Sequence, residues 1–159
     1  MPLLRLVPRF ILVAVLACSN VLGIAVALAP GLPVSITDYP KWTRLNIDRV
    51  TANPTGAHPQ SKDVYVNLDV AVLLDDGGGY ALPFPDGTVL VKERNDVSRL
   101  LADRLYVMEK QGARWEYAFY DRQADGSFSA SELGADNFCH GCHTGARATD
   151  FVFTPFERR

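Results

Sequence analysis

The sequence predicts an α+β fold: a mainly antiparallel sheet with a few helices, the carboxyl-terminal one carrying a cysteine–histidine motif. Three observations predict it. Apolar residues alternate with polar ones over 63–74. Two β-rich runs flank the short Gly-containing loop at 111–114. Helix-capping residues stand only before and after the hairpin, at Asn95 or Asp96 and at Ser131, rather than between every pair of strands.

The amino terminus comes first. Residues 1–9 carry only positive charge, from Arg5 and Arg9, and Phe10 to Ala29 form a 20-residue stretch without any charge. Residues 1–29 therefore read as a signal peptide or an N-terminal membrane anchor. Ala27-Leu28-Ala29 supplies a small-x-small cleavage site, and the apolar run is long enough to span a bilayer. Val15-Leu16-Ala17-Cys18 also resembles a lipoprotein box. The positive flank stays inside in each case, so the chain beyond residue 29 is exported. Residues 30–38, with Pro30, Gly31 and Pro33, read as a linker, and 39–159 as one domain.

Within that domain Asp63–Leu74 reads as a strand, with Val64, Val66, Leu68, Val70, Val72 and Leu74 on one buried face. Asp75 to Gly79 end it as a turn. Thr88–Glu93 follows Asp86-Gly87 and reads as a second strand. Asn95 or Asp96 can cap a short helix over Val97–Arg104. Leu105–Lys110 and Trp115–Asp121 flank Gln111-Gly112-Ala113-Arg114 as a hairpin. Ser131 can cap a helix running toward Cys139.

The chain has 159 residues, 48% hydrophobic and 21% charged, which is globular composition and excludes a disordered chain. One domain of this size needs no disulfide scaffold. With Arg5 and Arg9 set aside, 14 basic and 18 acidic residues remain, a balance of −4. A mildly acidic domain is a poor partner for nucleic acid, whose binding neutralises phosphates. The membrane is met only through the amino-terminal segment.

Cys139-His140-Gly141-Cys142-His143 is C-x-x-C-H, the attachment pattern of c-type haem. Two thiols three positions apart share one face of a helical turn and can form thioethers to the two vinyl groups. The adjacent His143 then offers its imidazole to the iron as axial ligand. Zinc would need a fourth ligand, and His58 is the remaining histidine outside the motif. A thioredoxin-like motif would need a βαβ context. A plain Cys139–Cys142 disulfide leaves His143 unexplained. The motif ends 16 residues from the carboxyl terminus, unlike that of small helical cytochromes, which attach haem near their start.

The position opposite His143 decides function. A second strong ligand makes an electron carrier, and an open position makes a gas binder or a catalyst. Met108, His58 and His140 are the candidates to close it. Met108 sits in a strand-like run and reads as core, His140 faces away from iron, and His58 reads as a surface residue. Asp121, Gln123, Asp125, Gly126, Ser129 and Glu132 match calcium-loop spacing, but they follow a strand-like run, so the segment reads as a polar turn.

Val64-Tyr65-Val66-Asn67, the run Phe84 to Glu93, the aromatic strand around Trp115, the C-x-x-C-H motif and Asp150-Phe151-Val152-Phe153-Thr154 occur together and in order. In this the chain resembles the cytochrome P-460 family, including the cytochromes c′-beta, over roughly 39–156. The resemblance implies a mostly antiparallel β fold, often dimeric, holding one covalent haem c in the periplasm, with five-coordinate iron. It implies that Lys92 matches a lysine cross-linked to the haem in members that oxidise hydroxylamine, with nitric oxide chemistry at the iron and a redox partner cytochrome. The c′-beta relatives lack the cross-link and bind nitric oxide or carbon monoxide. Read from the residues alone, Lys92 on a strand is an edge lysine. Lys62 stands where those members have arginine, and Tyr106 where some have an acidic residue. Phe84 is a candidate for the distal wall. Glu132 and Asp136 are candidate proton acceptors, or else favourable charges near a helix start. The candidate functions are three: hydroxylamine and nitric oxide oxidation, ligand binding without turnover, and six-coordinate electron transfer.

Overall fold

The structure is a computed structural model that describes residues 30–50, 58, 60, 62–95, 101–134 and 136–158. The amino-terminal segment 1–29, with Cys18, lies outside the described residues. Six strands form one sheet in chain order, each antiparallel to the next: β1 (Thr43–Arg44), β2 (Val64–Val66), β3 (Val89–Arg94), β4 (Arg104–Gln111), β5 (Arg114–Arg122) and β6 (Phe128–Gly134). Among the described residues, two short helices, α1 (Val70–Leu73) and α2 (Phe138–His143), and three 3-10 turns accompany the sheet. This is the α+β architecture that the sequence predicts.

The β4–β5 hairpin turns at Gly112-Ala113, with Gln111 opposite Arg114. Gly112 takes φ +61, which glycine adopts without Cβ strain, and its N–H donates to Asp86 Oδ1 at 2.5 Å. That turn sets the register of the longest pair, and alternation then separates two apolar faces. One face buries Leu90, Met108, Trp115 and Tyr117 with Leu45 and Phe84. The other buries Val89, Val91, Leu105 and Val107 with Ile36 and Tyr39. Residues 30–38 lie against this second face: Phe128 N–H donates to Pro30 O at 2.7 Å, and Ile36 is buried.

Three expectations are corrected. The strand expected over Asp63–Leu74 stops at Val66. Asn67 N–H still donates to Val89 O at 3.1 Å, but Val89 N–H goes to Asn67 Oδ1 at 2.7 Å and Asn67 Nδ2 donates to Gly87 O at 3.0 Å, so side-chain bonds take over where the ladder ends. The chain then makes the single helical turn α1, with Leu73 buried while Val70 and Val72 stay exposed. An unbroken apolar run of this kind does not distinguish a strand from a short helix. The helix expected over Val97–Arg104 does not include its end: Arg104 opens β4, and Leu101 to Asp103 are not helical. Asp103 instead forms a paired hydrogen bond with Arg94 at 2.9 and 3.1 Å. Residues 96–100 of that expectation lie outside the described residues. Ser131 is no helix cap, because it sits in β6 opposite Phe119. The calcium-like spacing accordingly falls across the β5–β6 hairpin, with Asp121 tied to Arg104 and Glu132 opposite Ala118.

Candidate haem site

The cap of α2 is Asn137. It has extended backbone, and its Oδ1 accepts from Cys139 N–H at 2.7 Å and His140 N–H at 3.2 Å. Its Nδ2 donates back to the carbonyl of Gly134, so the helix start is tied to the end of β6. One turn of helix thus presents Cys139, Cys142 and His143 to the first sheet face. Both thiols are free, and burial followed by the neighbouring Cys142 raises the pKa of Cys139.

Between α2 and the sheet lies a cavity of about 180 Å³. Register builds its floor. Val64, Lys92, Tyr106 and Phe119 stand opposite one another across β2 to β5, and Leu90, Met108 and Tyr117 form the adjoining row. Cys139, Cys142, His143, Val152 and Phe153 form the other wall, and His58 and Arg104 also line the space. No carboxylate among the described residues lines it.

His143 donates from Nδ1 to the carbonyl oxygen of Phe151 at 2.7 Å. That fixes the tautomer and leaves Nε2 as the ring nitrogen with a lone pair. Burial lowers its pKa, against the Phe151 carbonyl, which raises it; the net shift favours the neutral ring, the form that ligates a metal. Tyr117 and Phe153 pack edge-on against the ring at 5.6 and 5.3 Å between centroids.

Lys92 lines the cavity without a hydrogen-bonded or ion-paired partner among the described residues. Burial, and secondarily Lys62, lowers its pKa to about 8. This is not the solvated edge lysine that the strand pattern alone describes. His58 is likewise no surface residue. Its ring meets Tyr106 edge-on at 4.4 Å, and burial first, then Lys92, Lys62 and His143, lowers its pKa to about 3. Its Nδ1 and the Tyr117 hydroxyl are buried without hydrogen-bond partners among the described residues, and both residues line the cavity.

The remaining candidates are dispersed. Lys62 does not line the cavity and donates to the His58 carbonyl at 2.6 Å, tying it to that residue. Phe84 is buried in the core against Tyr80 and Trp115, at 5.1 and 6.0 Å, and does not line the cavity either. Glu132 lines a separate depression with Ile36 and Tyr120, and Asp136 is exposed and paired with Arg114 at 2.8 Å. His140 turns to the Phe151 ring, 5.2 Å away. Met108 is buried in the core row and also touches the cavity. Sequence reading missed Tyr117 and Arg104 as cavity residues. The signal for Tyr117 was its alternation with Trp115 and Phe119 on one face of β5.

These residues fit a covalently attached haem. Two free thiols and an imidazole with its second nitrogen engaged border a largely apolar space, and an amine and two polar atoms without partners among the described residues adjoin it. The protein-family model described as Cytochrome P460 matches residues 36–154. No curated protein matches the chain. The match covers well over half of the sequence, and the chain belongs to that family of haem cytochromes.

Proposed function

We propose that this member of the cytochrome P-460 family is an exported, periplasmic c-type monohaem cytochrome that oxidises hydroxylamine and nitric oxide. One observation carries the reading: a single cavity gathers Cys139, Cys142, His143 and the amine of Lys92, which has no partner among the described residues. Cys139 and Cys142 would hold the haem by thioethers, and His143 would ligate its iron through Nε2. When bound, the haem supplies an iron centre that takes a small ligand and exchanges electrons with a redox partner.

The chain's own groups do the rest. Val64, Leu90 and Val152 exclude water from the reacting region. An amine with a pKa near 8 is partly neutral at physiological pH, and the neutral nitrogen has the lone pair that a cross-link to the macrocycle requires. Oxidation of hydroxylamine releases protons as well as electrons. His58 also faces the cavity, but burial and the neighbouring cations hold its pKa near 3, so it stays neutral there; the neutral fraction of Lys92, with a pKa near 8, is the better matched acceptor.

A second reading, nitric oxide or carbon monoxide binding without turnover, is favoured by one feature. No carboxylate among the described residues lines the cavity, and Glu132 and Asp136 lie elsewhere. The experiment is turnover of hydroxylamine by the purified, haem-loaded protein with a soluble one-electron acceptor, beside Lys92→Met. Turnover that falls in the loaded variant supports the first reading. Loaded protein that binds nitric oxide yet leaves the acceptor oxidised supports the second.

A further inference from the structure

Next to Phe151, whose carbonyl engages His143 Nδ1, stands a partly buried carboxylate that neither reading uses. Asp150 accepts from Lys110 Nζ on both oxygens, each at 2.7 Å, from Phe84 N–H at 3.0 Å and from Trp115 Nε1 at 3.4 Å. Side-chain exposure is 4% for Lys110 and 11% for Asp150, so this is an ion pair within the core, with the Lys110 ammonium 5.1 Å from the Trp115 ring centre. Neither residue lines the cavity.

The backbone at Asp150 gives the clamp its meaning. Asp150 and Phe151 take φ +48 and +68 in succession, the left-handed region that non-glycine residues rarely occupy. Such a conformation persists where its surroundings over-determine it. Here it reverses the chain after the turn Thr144–Thr149 and aims the Phe151 carbonyl at His143 Nδ1.

We propose that Asp150, held by Lys110, is a positioning residue for the axial ligand: it fixes the turn whose carbonyl takes the His143 Nδ1 proton in a hydrogen bond, and so sets how strongly His143 donates to iron. A strong Nδ1–H bond raises the basicity of the coordinating nitrogen. Loosening the clamp weakens that bond and the donation with it. The inference rests on His143 being the ligand.

The test uses the mature haem-loaded protein with Asp150→Asn and Lys110→Gln. It reads the iron–histidine stretching band of the ferrous form by resonance Raman, together with the reduction potential. The band is expected to fall in frequency and the potential to rise in both loaded variants. Folded, loaded variants with the parent's band and potential would overturn the proposal. Lys110→Gln keeps a donor beside Asp150 and carries the test if Asp150→Asn does not fold. A parent protein without an iron–histidine band would instead overturn the ligand assignment, and the inference with it.

Discussion

Replacing Lys110 by Met removes the ammonium and leaves Asp150 charged in the core. The side chain is 11% exposed and keeps Phe84 N–H and Trp115 Nε1 as donors. Removing one partner of a buried pair costs about 3–5 kcal/mol. The two surviving donors put this case at the lower end, about 3 kcal/mol, against a total stability of about 5–15 kcal/mol. Asp150→Asn strands the ammonium instead, at a similar cost of about 3 kcal/mol. The double variant strands neither charge, so it is expected to cost less than the two singles combined, by a coupling of about 2–3 kcal/mol. Each single change is expected to lower Tm by roughly 10 °C for a domain of this size. Urea unfolding of the four haem-loaded proteins, followed by the intrinsic fluorescence of the chain, measures the cycle. Costs that simply add would defeat this expectation, because they would mean that the two charges do not depend on each other.

Three further outcomes are expected. Asn137→Ala removes the oxygen that caps α2 and is expected to cost about 1 kcal/mol in urea unfolding and to lower haem incorporation, read as the haem-to-protein absorbance ratio. Lys92 has its folded pKa lowered to about 8, so its ammonium destabilises the haem-free fold below that pH, and the penalty is relieved as pH rises toward the unfolded value near 10.5. Lys92→Met is expected to raise the stability of the haem-free protein at neutral pH by up to about 3 kcal/mol and to flatten that slope; an unchanged slope in urea unfolding contradicts it. His58 is neutral in the fold with its pKa lowered to about 3, so stability is full above about 6.5 and is lost as pH falls toward 3. His58→Leu is expected to remove that part of the acid limb, measured by acid titration of the fluorescence.

Parts of this were legible because the chemistry left one solution. The spacing of Cys139, Cys142 and His143 is dictated by two vinyl groups and an iron, so five residues in a row state the site. The hairpin was legible because Gly112 marks the turn and the flanking runs alternate. Lys92 was not legible from its own strand, because its surroundings come from register. Tyr106 and Val64 stand opposite it only once the turn and Asn67 have set the strand ends. The end of β2 was misread because the even-position apolar residues of 70–74 serve a helical turn as well as a strand. His58 sits in a stretch without periodicity, and no local pattern points it inward. Lys110 did carry a signal. It shares a face of β4 with Tyr106 and Met108, and a charge pointing inward calls for a carboxylate.

The most direct test is the intact mass of the mature protein, made in a host that exports and matures c-type cytochromes, taken after denaturation beside Cys139→Ala/Cys142→Ala. The expected mass exceeds that of the chain by one haem and loses that excess in the double variant, with a far red-shifted ferrous Soret band if Lys92 is cross-linked. A chain of unmodified mass that carries no haem absorbance after export in that host would contradict covalent haem attachment, and the proposed chemistry with it.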